Sequence, residues 1–208
     1  NIDASGFSGD VRLSSGGGTE NIVGSSGDST LVEEADANFS LSGNVLSIGG
    51  NDITFLAIDD MDLTGGAGAN TFTVSSFSGE VIMHGEAGDD IFNLDGGGDT
   101  VFGGAGTDTI VDTVNTDVTL TDNEYTVTGE TEAHQLDSIE VATIVAGSGT
   151  SLFDASGFTG GVNFTAIAGA TEIYTGADND VILANVGEDI IFAGAGDDSI
   201  TGGADDDE

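Results

Sequence analysis

The chain has 208 residues, with 35 Gly, no Pro, no Cys and no Trp, and one basic residue, Arg12, against 38 acidic ones, for a net charge of −37. Such a charge commonly accompanies disorder, but 38% of the residues are hydrophobic and they recur at regular intervals, which points to a folded acidic chain in need of counter-ions. The sign of the charge excludes nucleic acid as a partner, and no apolar run approaches the ~18 residues that cross a bilayer, so no membrane insertion is expected.

In chain order, a ten-residue motif comes first. IDASGFSGDV at 2–11 returns as FTVSSFSGEV at 72–81 and as FDASGFTGGV at 153–162. The chain is therefore read as a tandem array of three modules, 1–71, 72–152 and a shorter 153–208. After the first copy, 15–32 holds two nine-residue units, SGGGTENIV and GSSGDSTLV, which keep Gly18 and Gly27 at the fourth place but show Glu20 and Ser29 at the sixth. The stretch 33–64 has no such unit. Phe39, Leu41, Leu46 and Ile48 alternate there around Gly43–Asn44, a strand-and-turn pattern.

A lone unit, GGAGANTFT at 65–73, precedes the second copy and has Asn70 at its sixth place. Then come three contiguous units at 85–111: GEAGDDIFN, LDGGGDTVF and GGAGTDTIV. They align Gly88, Gly97 and Gly106 at the fourth place, Asp90, Asp99 and Asp108 at the sixth, and Phe92, Val101 and Ile110 at the eighth. The stretch 112–145 matches 33–64, with Val118, Leu120, Tyr125 and Val127 around Asp122–Asn123, and Ile139 and Ile144 opposite Ile58 and Leu63. Both stretches are read as wider coils of one spiral, with a small side hairpin as the alternative.

A second lone unit, AGSGTSLFD at 146–154, has Ser151 at its sixth place, and a last block runs through 166–208. Its sixth places are Thr171, Asp180, Asp189, Asp198 and Asp207; its eighth places begin Ile173, Ile182, Ile191 and Ile200. Helical periodicity is missing and the glycine density is unfavourable to helices. The N-terminus has neither the basic nor the apolar region of a signal peptide, so Asn1 is read as an internal cut or a processed end.

GGAGTDTIV fits the pattern GGxGxDxUx in full, and the block around it resembles the repeats-in-toxin (RTX) family of calcium-binding parallel β-rolls. The residues support that resemblance. Glycines permit a sharp turn over six residues, and the last three form a short strand whose eighth-place residue points inward. The expected fold is all-β, a right-handed parallel β-roll or β-helix solenoid built from tandem repeats. Two units make one coil, so sixth-place carboxylates two units apart stack on one edge. Bare, they repel by about 0.8 kcal/mol per pair at ~5 Å in water. A calcium ion between coils reverses the sign.

The resemblance implies that these aspartates and turn carbonyls are the metal ligands. Asp90 would pair with Asp108, Asp180 with Asp198 and Asp189 with Asp207, while Asp99 lies on the other edge from Asp90. No catalytic residue and no further cofactor site is assigned. Phe72, Phe77, Phe153 and Phe158, with Ile2 and Phe7, are expected to stack as an internal ladder. His84 and His134 are expected at the surface or in turns, and Arg12 is expected to pair with a nearby carboxylate.

Export to the cell exterior or bacterial cell surface is implied by the same resemblance. The functional expectation is a non-enzymatic calcium-binding structural module of an adhesin, surface layer or fibre, one period of a longer array or self-associating head to tail. The alternative is a calcium-dependent β-helix enzyme or binding module acting on polysaccharide. With no Lys and one Arg, such an enzyme would depend on calcium alone to stabilise developing negative charge.

Overall fold

A computed structural model describes residues 1–96 and 98–208; the fourth-place Gly97 lies outside the described residues. Among these residues every regular element is a strand, and the strands form one twelve-stranded and one eleven-stranded sheet. Within the nonapeptide blocks, successive strands alternate between the two sheets. Each pairs in parallel with the strand two units on, so Phe92 lies beside Ile110, Ile173 beside Ile191 and Ile182 beside Ile200. The nine-residue period itself sets this register: six residues turn the chain from one sheet to the other, and three extend it. Parallel strands alternating between two facing sheets are the arrangement of a β-roll.

The eighth-place residues fill the space between the sheets. Phe92, Val101, Ile110, Ile173 and Ile182 are buried, and only in the last coil does the row open, with Ile200 50% exposed. Because parallel strands repeat every ~4.7–4.9 Å, identical inward residues stack without further adjustment. Phe39, Phe72 and Phe92 form such a column, with ring centroids 4.9 and 5.0 Å apart.

The aromatic ladder differs in detail from expectation. Phe72, Phe153 and Phe158 are buried, but Phe72 and Phe153 lie in opposite sheets, and Phe153 stacks on Phe164 at 4.3 Å. Phe77 is half-buried and meets Phe55 edge-on. Phe7 is 65% exposed, because the first copy forms the outermost coil, whose strands pair on one side only.

The stretches read as wider coils are instead antiparallel meanders built into the sheets. Phe39–Ser42, Val45–Ile48 and Asn51–Leu56 add to the twelve-stranded sheet, with Leu41 opposite Leu46 and Leu46 opposite Ile53. Val118–Thr121, Glu124–Val127 and His134–Asp137 add to the eleven-stranded sheet, with Leu120 opposite Tyr125 and Tyr125 opposite His134. The physical reason is turn length. Gly43, with φ of 55°, and Asn44 close a two-residue hairpin, which returns the chain within its own sheet, whereas a nonapeptide turn carries it across.

Each meander therefore lengthens one sheet by two strands, about 10 Å at the usual strand spacing. The second meander falls in the opposite sheet and restores the balance. Its placement follows from strand parity, since the single strands between the meanders, Asp60–Thr64, Thr71–Ser75, Val81–His84, Ile91–Asn93, Thr100–Phe102 and Thr109–Val114, are even in number.

Candidate metal centre

Glycine lets neighbouring turns approach closely. Gly88 and Gly106, fourth in their units, have φ of 114° and 151°, a region that side chains with a Cβ avoid. A Cβ on Gly106 would collide with the carbonyl of Gly88 one coil away. The turn ends on the sixth-place aspartate, which is thereby carried to the edge of the roll just ahead of its strand.

The aspartates stack carboxylate on amide rather than carboxylate on carboxylate. Asp90 N–H donates to Asp108 Oδ1 at 2.8 Å, Asp180 N–H to Asp198 Oδ1 at 3.0 Å and Asp189 N–H to Asp207 Oδ1 at 3.2 Å. The structure thus brings together the three pairs expected from the spacing. Asp90 in turn accepts from Asn70 N–H at 2.6 Å, Asp180 from Val162 N–H at 2.8 Å and Asp189 from Thr171 N–H at 2.7 Å. Asp99 stands on the opposite edge and accepts from Val81 N–H at 3.2 Å.

One carboxylate oxygen is thus used in each case and one is left over. Oδ2 of Asp90, Asp108, Asp180 and Asp189 is buried without a hydrogen-bond partner. At Gly85 an added Cβ would strike both Asp90 Oδ2 and the Gly103 carbonyl; at Gly103 it would strike Asp108 Oδ2 and the Ser138 carbonyl. The first-place glycine therefore keeps open a gap rimmed by a carboxylate oxygen and a main-chain carbonyl of the next coil. Burial pushes the pKa of all four carboxyls up, and neighbouring acids push in the same direction: Asp89 at Asp90, Asp90 at Asp108, Asp198 at Asp180 and Asp207 at Asp189.

A buried unpaired charge is expensive, and a cation is the direct remedy. The guanidinium of Arg12 is committed to Asp62. An all-oxygen donor set suits a hard ion such as calcium, which takes six to eight oxygens at ~2.3–2.6 Å. Among the described residues no three His, Asp or Glu side chains converge as a metal-binding group, so turn carbonyls and water would complete the shell. The residues present fit the ion.

Units without the aspartate satisfy themselves. Asn70 Oδ1 accepts from Gly66 N–H at 2.8 Å, Ser29 Oγ accepts from Ser25 N–H at 2.9 Å, and Ser151 Oγ donates to Asp117 at 2.9 Å. The Thr171 hydroxyl donates to the Gly169 carbonyl at 3.4 Å. Their side-chain oxygens are occupied within the protein.

Three residues outside the nonapeptides enter the rows and escaped the sequence reading. Glu140 Oε2 accepts from Asp108 N–H at 2.9 Å, and Asp59 Oδ2 accepts from Ser29 N–H at 2.9 Å. They occupy equivalent turns, in which Ser138 and Ala57 take φ of 57° and 54°. The match of Ile58 to Ile139 was the signal for both, since it sets Asp59 against Glu140.

The third is His134. Expected at the surface, it is fully buried. Its Nδ1 accepts from Asp99 N–H at 3.2 Å, the position that Asp108 fills for Asp90. Burial holds its pKa down at about 4, and Nε2 lies 3.4 Å from Glu130 Oε2. Asp99 accordingly faces a neutral ring on its next coil, with its own carboxyl pushed up to about 7 by burial. His84 is half-buried on the outer face and stacks on Phe102 at 4.8 Å.

The model of the RTX calcium-binding nonapeptide repeat matches residues 8–32, 82–110 and 168–208. These segments contain all seven aspartates and also the first block, which lacks them. No curated protein matches the chain. With four copies matched, the chain carries repeats of the RTX calcium-binding nonapeptide family, which bind calcium ions.

Proposed function

We propose that the chain is a calcium-rigidified structural module of an extracellular bacterial protein, an adhesin, surface-layer or fibre component, without catalytic activity. In this reading the coil is right-handed, the hand that parallel strand crossovers overwhelmingly adopt. Ions lie between Asp90 and Asp108, between Asp180 and Asp198, and between Asp189 and Asp207. Asp99 is the poorest ligand of the seven, since its Oδ2 faces His134 Nδ1 at 3.8 Å.

The observation that carries the reading is the set of buried, partnerless Oδ2 atoms of Asp90, Asp108, Asp180 and Asp189 in a chain of net charge −37. Without an ion these turns combine desolvation with like-charge repulsion. With one, metal binding becomes folding free energy. Extracellular modules work at ~10⁻⁴–10⁻³ M calcium, so the chain would rigidify after export. Calcium-linked self-association belongs to the same reading and is measured by light scattering with calcium and with chelator.

Circular dichroism melts with calcium and with chelator test the proposal. The midpoint should rise steadily with calcium concentration, as ligand linkage requires. A midpoint indifferent to calcium overturns it.

A further inference from the structure

We propose that the middle block binds one calcium ion more than its nonapeptides encode, between Asp108 and the turn Ser138–Glu140 at the end of the second meander. The proposal rests on the reading of the aspartate rows above.

The contacts on the two sides of Asp108 are the same in kind. On one side, Asp90 N–H donates to a carboxylate oxygen of Asp108 at 2.8 Å; on the other, Asp108 N–H donates to a carboxylate oxygen of Glu140 at 2.9 Å. Gly85 N–H donates to the Phe102 carbonyl at 2.8 Å, and Gly103 N–H to the Asp137 carbonyl at 2.9 Å. The bare Cα of Gly85 faces Asp90 Oδ2 and the Gly103 carbonyl, and that of Gly103 faces Asp108 Oδ2 and the Ser138 carbonyl. Ser138 reaches this position by adopting φ of 57°, a conformation usually left to glycine.

An independent observation points to a ligand here. Asp108 is 0% exposed and its Oδ2 is one of the buried oxygens without a partner. With the Ser138 carbonyl it flanks the bare Cα of Gly103. Glu140 is half-buried beside it and offers a second oxygen beyond the one taken by Asp108 N–H. A carboxylate from each coil and a main-chain carbonyl form a hard-cation donor set.

The first meander supplies an internal control. Asp59 closes the equivalent turn and accepts from Ser29 N–H, and the bare Cα of Gly24 faces the Ala57 carbonyl and Ser29 Oγ. There the sixth place offers a hydroxyl in place of a carboxylate, already hydrogen-bonded to Ser25. The same turn therefore binds an ion after Asp108 and none after Ser29.

The test counts calcium bound per chain, and stepwise affinity, by equilibrium dialysis and titration calorimetry on the whole chain. Glu140→Gln keeps an acceptor for Asp108 N–H but removes the charge, and should lose one ion or weaken one step at least tenfold. Asp59→Asn should match the unaltered chain. An unchanged count and affinity in Glu140→Gln overturns the inference and leaves the aspartate rows standing, whereas an unaltered chain that binds no calcium overturns the rows themselves. Should Glu140→Gln fail to fold by circular dichroism, Glu140→Asn, also uncharged and one methylene shorter, is judged by the same two outcomes.

Discussion

Each sixth-place aspartate divides its two oxygens between different tasks, and substitutions can separate them. Asp108→Asn retains an oxygen for Asp90 N–H while removing a charge that lacks a partner. In chelator this variant should therefore melt no lower than the unaltered chain, because a buried unpaired charge has gone; in calcium it should melt lower. The third block should bind calcium as before. A parallel fall in both conditions would show that the charge contributes nothing to ion binding. A second residue-scale prediction concerns the core: Phe72 is fully buried between Phe39 and Phe92. Phe72→Ala should destabilise the chain by about 3–5 kcal/mol, read from denaturant midpoints at constant slope.

At the scale of elements, the second meander differs from the nonapeptide turns because it imports titratable groups. Burial raises Asp99 from 3.8, and Glu130 from 4.5, to about 7, and lowers His134 from 6.5 to about 4. The raised acids contribute stability that is present below their ordinary values and is lost as pH climbs toward 7. The lowered base has the opposite sense: its contribution is present above 6.5 and is lost as pH falls toward 4. Two acids outweigh one base, so the calcium-free chain should lose stability between about pH 4.5 and pH 7, seen as a falling denaturant midpoint. His134→Gln, which removes the opposing base, should steepen that fall; a flat profile would show that these groups are solvated. Tyr125 belongs to the same meander, and its hydroxyl donates to Asp112 at 2.7 Å. Tyr125→Phe leaves that carboxylate with one partner fewer and should cost about 1–3 kcal/mol.

For the molecule as a whole, the position of the second meander is a matter of counting. Removing one unit, residues 94–102, leaves an odd number of strands between the meanders and sends both into the same sheet. That sheet would then run four strands ahead of the other, about 19 Å at the usual spacing, and the roll would have to bend or break its ladder. Removing two units, residues 85–102, restores the parity. The larger deletion should therefore fold more cooperatively and melt higher in calcium than the smaller one. The reverse order would mean that the sheets tolerate the imbalance.

Residue order by itself determined the all-β class, the two-unit coil, the inward row through Phe92, Ile110 and Ile182, and the pairing of Asp90 with Asp108, Asp180 with Asp198 and Asp189 with Asp207. All of these follow from a strict nine-residue period, and a period survives translation into space because stacked coils repeat it. Tertiary structure alone decided what interrupts the period. Whether 33–64 and 112–145 cross the roll or double back depends on hairpin turns whose strands alternate in the same way under either reading. The burial of His134 beneath Asp99, and the arrival of Glu140 at Asp108, depend on a three-strand detour that brings residues 32 and 35 positions apart into adjacent coils. Local spacing carries no record of that distance, because the contact is set by where the meander ends and not by the repeat.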